Sequence, residues 1–172
     1  MATVLKAPEP YIQDEKLSIF LGGSIDMGAA ENWQERLTKD LSGYKNLVIL
    51  NPRRDEWDSS WVQDPTPGTQ FHEQVSWELD CQEQADANVY YFSADSKAPI
   101  TLLELGLFND DNVIVCCPKE FYRYGNVKMV CDRYGVTLVE TYDDLIKLIR
   151  DFLDEESVEW KLFLLIKTHG TI

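Results

Sequence analysis

No stretch of this chain approaches the roughly 20 consecutive apolar residues that a membrane-spanning helix needs. The longest late candidate, Leu162 to Ile166, is far shorter, so no membrane partner is expected. Positive charge is scarce as well: 16 Lys and Arg stand against 30 Asp and Glu, a net charge of −14. Binding of a nucleic-acid polymer depends on Lys and Arg neutralising phosphates, which makes DNA or RNA an unexpected ligand. Histidine is reduced to His72 and His169, neither with partners at metal-ligand spacing. Four cysteines, Cys81, Cys116, Cys117 and Cys131, show no CxxC spacing. No metal and no cofactor are expected. GxGxxG and the GxxxxGK lysine are both missing, which leaves a dinucleotide or Mg-ATP site unsupported. The first 15 residues are polar and carry Glu9, Asp14 and Glu15, which argues against a signal peptide. The thiols are read as reduced and mostly buried, in a cytoplasmic protein. Cys116 and Cys117 are adjacent in a strand-like run and should point to opposite faces.

What is present is enough for a core. The chain has 172 residues, 44% of them apolar and 12% aromatic. That fits one domain burying roughly 70% of its unfolded surface. Residues 1–16 read as a loose arm with Pro8 and Pro10. Short apolar runs at 17–21, 47–50, 87–92, 112–117 and 136–139 read as buried strands. Between them lie helical patterns. Trp33, Leu37 and Leu41 mark a helix over 30–42, and Phe71, Val75, Leu79 and Gln82 one over 70–84. Pro99 opens a helix to Phe108, with further helices over 125–133 and 142–154. Residues 52–69 lack periodicity and read as a long loop of the kind that carries function. Five strand–helix alternations argue for an α/β three-layer sandwich, a five-stranded parallel sheet with helices on both faces. Flavodoxin-like or Rossmann-like strand order follows from right-handed crossovers. The domain is placed at 17–154, and 155–172 is an extension in which 157–168 can be read as a sixth strand, a continued helix or an arm on a partner subunit.

In such folds a ligand lies at the carboxyl ends of the strands. That rule selects Gly22, Gly23 and Ser24, where glycine lets the backbone approach a ligand and the hydroxyl can donate to it. Next come Asn51, Arg53 and Arg54, able to hold a phosphate, carboxylate or base edge, or else to pair on the surface with Asp55 and Glu56. Asp95 and Ser96 follow the third strand. Trp57 and Trp61 can stack on a base or cover the core. Glu104 is the most informative residue. It lies among Ile100, Leu102, Leu103, Leu105 and Phe108, where a lone carboxylate needs a partner or exposure. It is read either as an ionised nucleophile or as the one solvent-facing residue of its helix. Gly106 would relieve crowding beside it. Asp86 either ends the preceding helix or projects toward the pocket. Glu73, Glu78 and Asp80 read as solvated surface.

Taken together, Gly22 to Ile25, Asn51 to Arg54, Gln74 to Glu78, Ala85–Asp86 and Pro99 to Gly106 resemble the nucleoside 2-deoxyribosyltransferase-like family over roughly residues 17–150. The resemblance implies a flavodoxin-like fold and cleavage of the N-glycosidic bond of a small nucleoside or nucleotide. Glu104 matches the nucleophile that attacks C1′, and Asp86 an acid that positions sugar or base. Asp95 or Ser96 falls where the family contacts base or phosphate. A homo-oligomer is implied too. The sequence departs from the family at Phe20, where characterised transferases carry a tyrosine that orients the nucleophile. Residues 155–172 do not match the family's closing segment. The expected activity is thus a pentosyl transferase or N-glycosidase working through a glycosyl-glutamate intermediate. The alternatives are a nucleotide-binding regulatory module without turnover, or an NAD or nucleotide glycohydrolase.

Overall fold

The computed structural model describes residues 1–25, 32–54, 62–109 and 112–169, with side chains through residue 155. Six parallel strands form one sheet in the order β1-β3-β2-β4-β5-β6. They are β1 (Thr3–Lys6), β2 (Leu17–Gly23), β3 (Leu47–Asn51), β4 (Ala87–Tyr91), β5 (Val113–Cys116) and β6 (Thr137–Val139). The helices are α1 (Trp33–Asp40), α2 (Gln70–Gln84), α3 (Pro99–Leu107), α4 (Tyr124–Tyr134) and α5 (Tyr142–His169). Leaving β1 aside, the remaining five strands run in the flavodoxin-like order.

The sixth strand corrects the reading of the N-terminus as a loose arm. β1 pairs with β3 from Thr3 opposite Val48 to Lys6 opposite Asn51. All five residues of β3 are buried, so its outer edge needs a neighbour, and β1 provides it. Beyond β1 the chain stays attached: Trp77 donates its indole N–H to the Glu9 carbonyl at 2.6 Å, and Ala7 and Tyr11 are buried. The helix expected over 142–154 runs on from Tyr142 to His169. No helix among the described residues is long and apolar enough to cross a membrane.

Alternation along the strands builds two cores. Ile19, Leu21, Ile49 and Val89 face α1 and α5, meeting Trp33, Leu37, Leu145 and Ile149. Phe20, Val48 and Leu50 face α2 through Trp77 and Cys81. Val113 and Val115 meet Leu105 of α3 and Val127 of α4. Cys116 lies in the first core and Cys117 in the opposite one, and all four cysteines are free and buried.

Local signals start and stop the helices where needed. Asn32 caps α1 by accepting from the Glu35 N–H, and its amide donates back to the Glu35 carboxylate at 3.0 Å. Thr69 caps α2 through the His72 N–H. Gly135, at φ 75°, ends α4 in the left-handed conformation that costs glycine least. One helix is rotated relative to the sequence reading. The buried residues of α2 are Gln74, Trp77, Cys81 and Gln82, while Phe71, Val75 and Leu79 are only half-buried.

Candidate active site

The polar residues that α2 turns inward form a stripe at every fourth position, Gln74, Glu78 and Gln82, which runs from the turn after β3 to Glu104 of α3. At its lower end the Gln82 amide donates to Glu104 Oε1 at 3.1 Å. The same nitrogen donates to the Glu78 carbonyl, and Gln82 Oε1 accepts from the Tyr90 hydroxyl at 2.6 Å. At its upper end Gln74 donates to Glu78 Oε1 at 2.7 Å and to the Pro52 carbonyl at 2.9 Å, while accepting from Arg54 Nε. Arg54, Gln74, Glu78, Gln82, Tyr90 and Glu104 are therefore one connected polar cluster between α2, α3 and β4.

Two carboxyl groups in one such cluster cannot both ionise cheaply. Glu104 is 7% exposed. Burial first, and the Glu78 charge second, push its carboxyl up to about 8, against the pull of the Gln82 hydrogen bond. Burial also raises Glu78, offset by Gln74 and then Arg54. Glu104 is thus the buried member of a carboxyl pair and not the solvent-facing residue of its helix. Glu78 is not solvated surface as expected, although Glu73 and Asp80 are exposed.

The loop that launches α3 is held firmly. Ser96 is buried, its N–H donates to the Ser93 carbonyl and its hydroxyl accepts from the Ala98 N–H at 3.1 Å. Ala98 sits in the left-handed region at φ 40° and ψ 50°, costly for a residue with a Cβ, immediately before Pro99. Such strain is maintained only where the surroundings fix it, here the turn that sets the direction of the helix bearing Glu104. Ser96 therefore shapes the loop, and Asp95 beside it is exposed.

The other expected site residues divide. Ser24 is buried, and its hydroxyl accepts from the Ser93 N–H at 3.1 Å, which ties the ends of β2 and β4 together. Gly22 and Gly23 have packing reasons: a Cβ on Gly22 would lie 2.6 Å from the Tyr90 ring, and one on Gly23 would lie 2.5 Å from the Tyr91 carbonyl. Asn51 accepts from the Arg53 N–H at 3.0 Å, turning the chain after β3. Arg53 has a buried guanidinium nitrogen, Nη1, with no hydrogen-bond partner among the described residues. Asp26, Asp55, Glu56, Trp57 and Trp61 lie outside the described residues, as does the His169 side chain.

Asp86 lies apart from this cluster. It precedes β4 at the amino-terminal edge of the sheet and accepts from both the N–H (2.7 Å) and the hydroxyl (2.8 Å) of Ser18. Its own N–H donates back to that hydroxyl. The acid that acts on Glu104 is Glu78. Asp86→Ala is expected to cost about 1–3 kcal/mol of stability in urea unfolding, by leaving the Ser18 donors without their acceptor.

A separate cleft of about 540 Å³ opens between the N-terminal segment and the far side of α2, lined by Pro8, Pro10, Tyr11, His72, Trp77 and Asp80 among others. Neither Glu78 nor Glu104 lines it.

A family model described as nucleoside 2-deoxyribosyltransferase like matches residues 16–121, a span that holds the whole polar cluster. Among solved structures, a conserved protein from Enterococcus faecalis V583 is similar to this chain at 11% sequence identity and a TM-score of 0.56. The likeness covers 80% of this chain and 99% of that one. At that identity it speaks for the fold alone. No curated protein matches the chain.

Proposed function

The chain belongs to the nucleoside 2-deoxyribosyltransferase-like family, and from that premise we propose that it breaks the N-glycosidic bond of a nucleoside or nucleoside monophosphate, with Glu104 as nucleophile. The observation that carries this is the pairing of buried Glu104 with half-buried Glu78 in one polar cluster. Displacement at C1′ needs one ionised carboxylate to attack and one proton for the leaving base. A coupled pair that shares a single proton supplies both. In the first step the Glu104 carboxylate forms a C–O bond to C1′ as the C1′–N bond breaks, and the base departs with the pair's proton. In the second step a new base, or water, attacks C1′, gives its proton back to the pair and releases Glu104. Capture by a base makes the protein a transferase, and capture by water a hydrolase.

The pH dependence follows from the pair. The upper step, about 8 for Glu104 with Glu78 charged, removes the last proton. Base release is therefore expected to fall as pH rises through about 8, by roughly tenfold per unit beyond it. It should also fall in acid, when both carboxyls are protonated. A rate that keeps climbing well past pH 9 would contradict the shared proton.

A 5′-phosphate on the substrate is favoured by Arg53, whose buried Nη1 lacks an acceptor among the described residues. The deciding experiment compares 2′-deoxynucleosides, ribonucleosides and their 5′-monophosphates, with and without an acceptor base. Arg53→Met should weaken use of the monophosphate and leave that of the nucleoside. If no substrate in the panel loses its base, the enzymatic reading fails and a binding module takes its place. A homo-oligomer belongs to the same reading. Ile100, Leu103 and Leu107, each about 60% exposed, lie along one side of the helix that carries Glu104, and light scattering in solution reads the oligomeric state.

A further inference from the structure

We propose that Tyr90 is a positioning residue, whose hydroxyl fixes the Gln82 side chain so that the Gln82 amide holds the Glu104 carboxyl in place. This rests on the reading of Glu104 as nucleophile, and it adds the part of the site that keeps that nucleophile oriented. Three hydrogen bonds determine the amide's orientation. Its nitrogen faces two acceptors, the Glu78 carbonyl and Glu104 Oε1, both at 3.1 Å. Its oxygen faces one donor, the Tyr90 hydroxyl at 2.6 Å. A flipped amide would set oxygen against two acceptors and lose both of those bonds, keeping only one from its nitrogen to the Tyr90 oxygen. The backbone reinforces the arrangement, because the Gln82 carbonyl accepts from the Asn88 side chain on β4 at 3.1 Å. Tyr90 is fully buried, and its ring occupies the space that the missing side chain of Gly22 leaves on β2. Phe20, two residues earlier on that strand, has no hydroxyl to offer. The Gly22–Tyr90 fit, the Tyr90–Gln82 bond and the Gln82–Glu104 bond thus form a chain from the sheet to the carboxyl.

The chain bears on which carboxyl of the pair ionises. The groups that act on Glu104 are Glu78 and Gln82 on α2. Arg54, after β3, bonds Gln74 and favours ionised Glu78. Gln82 is the group that favours ionised Glu104. A hydrogen bond received from Tyr90 polarises the amide and strengthens its N–H as a donor. Without the hydroxyl, the amide holds ionised Glu104 less well, and a smaller fraction of Glu104 is ionised and able to attack C1′ at a given pH.

The test uses the full chain with Tyr90→Phe, which keeps the ring, and Gln82→Met, which keeps the length but removes the amide. Thermal unfolding confirms that each folds. Two quantities are read: the kinetics of base release, and the titration midpoint of Glu104 by carbon-13 NMR of the glutamate carboxyls, assigned through Glu104→Gln. Tyr90→Phe is expected to lower kcat about fivefold to tenfold, the scale of one hydrogen bond, with KM within about twofold. The Glu104 midpoint should move upward in both variants, further in Gln82→Met. An active wild type whose two variants keep its kcat and its midpoint would overturn the proposal. If wild type releases no base at all, the reaction is what fails. The midpoint then decides alone: an upward move retains the Tyr90–Gln82 hold on the carboxyl, and no move removes it.

Discussion

Glu104→Ala is expected to lower base release by roughly three orders of magnitude or more, because the variant has no group to form the glycosyl ester and no substitute lies beside it. Glu78 is the nearest alternative carboxylate. It is bound to Gln74 and attached to a different helix, so it does not inherit the position from which Glu104 would attack. The loss should appear in kcat, since the attack occurs only in the transition state. A variant that retained wild-type release would remove Glu104 as nucleophile while leaving family and fold untouched.

The same residue should trade stability for reactivity. The Glu104 carboxyl is pushed up to about 8 in the folded protein, from an ordinary 4.5, chiefly by burial. Below pH 4.5 both folded and unfolded chains carry the proton, and the group contributes nothing to the pH dependence. Between the two values the folded state retains a proton that the unfolded state has lost, so stability falls as pH rises. Above about 8 the full cost of the buried charge is present. Glu104→Gln removes that cost, on the order of several kcal/mol at most. The thermal midpoint of the variant should match wild type near pH 4.5 and exceed it increasingly up to pH 8.5. A constant difference across that range would show that the effect is packing and not charge.

The sheet was legible in the sequence because buried parallel strands are nearly continuous apolar runs, and Leu47 to Leu50 or Ala87 to Phe92 could hardly be anything else. β1 was not legible. It is four residues long, half-exposed, and followed by prolines, and its only sign is that β3 needs an outer neighbour, which depends on strand order. Glu104 stood out as a carboxylate in an apolar stretch, a local contradiction any reader can see. Gln74 and Glu78 did not, because polar residues at helical spacing ordinarily face water, and Gln82 reads as the end of an apolar stripe. Phe71, Val75 and Leu79 offered an apolar stripe of the same period on another side of α2. Only the bonds of Gln82 to Glu104 and Tyr90, and of Gln74 to the turn after β3, tell which stripe turns inward. For Asp86 the sequence offers its chain neighbours alone. Its place in the chain, just before a strand, puts it at the amino-terminal edge of the sheet. Once the strand is known to be parallel, that position belongs to the fastening of β4 to β2 through Ser18.

Gly23→Ala is expected to destabilise the protein by about 3 kcal/mol or more, beyond the usual cost of overpacking, because neither neighbour can withdraw. The added methyl would lie 2.5 Å from the Tyr91 carbonyl oxygen and 2.7 Å from Cζ2 of Trp33. The carbonyl accepts from the Ser24 N–H at 3.0 Å, at the end of the β2–β4 ladder that pairs Gly23 with Tyr91. Trp33 is 1% exposed, stacked on Tyr91 with ring centroids 5.0 Å apart, and donates its indole N–H to the Ser24 carbonyl at 3.2 Å. Relieving the clash means parting β2 from β4 where Ser24 joins Ser93, which would also disturb the loop leading to α3. Gly106→Ala is the control. It lies within α3, close to Glu104, yet a Cβ there meets nothing within 4 Å, so it does not relieve crowding as its sequence position suggested. Alanine there should stabilise the helix by about 0.5–1 kcal/mol. Urea unfolding of the two variants separates a glycine required by packing from one that merely weakens its helix. A Gly23→Ala protein within about 1 kcal/mol of wild type would show that the β2–β4 junction yields, and that glycine there serves an approaching ligand instead.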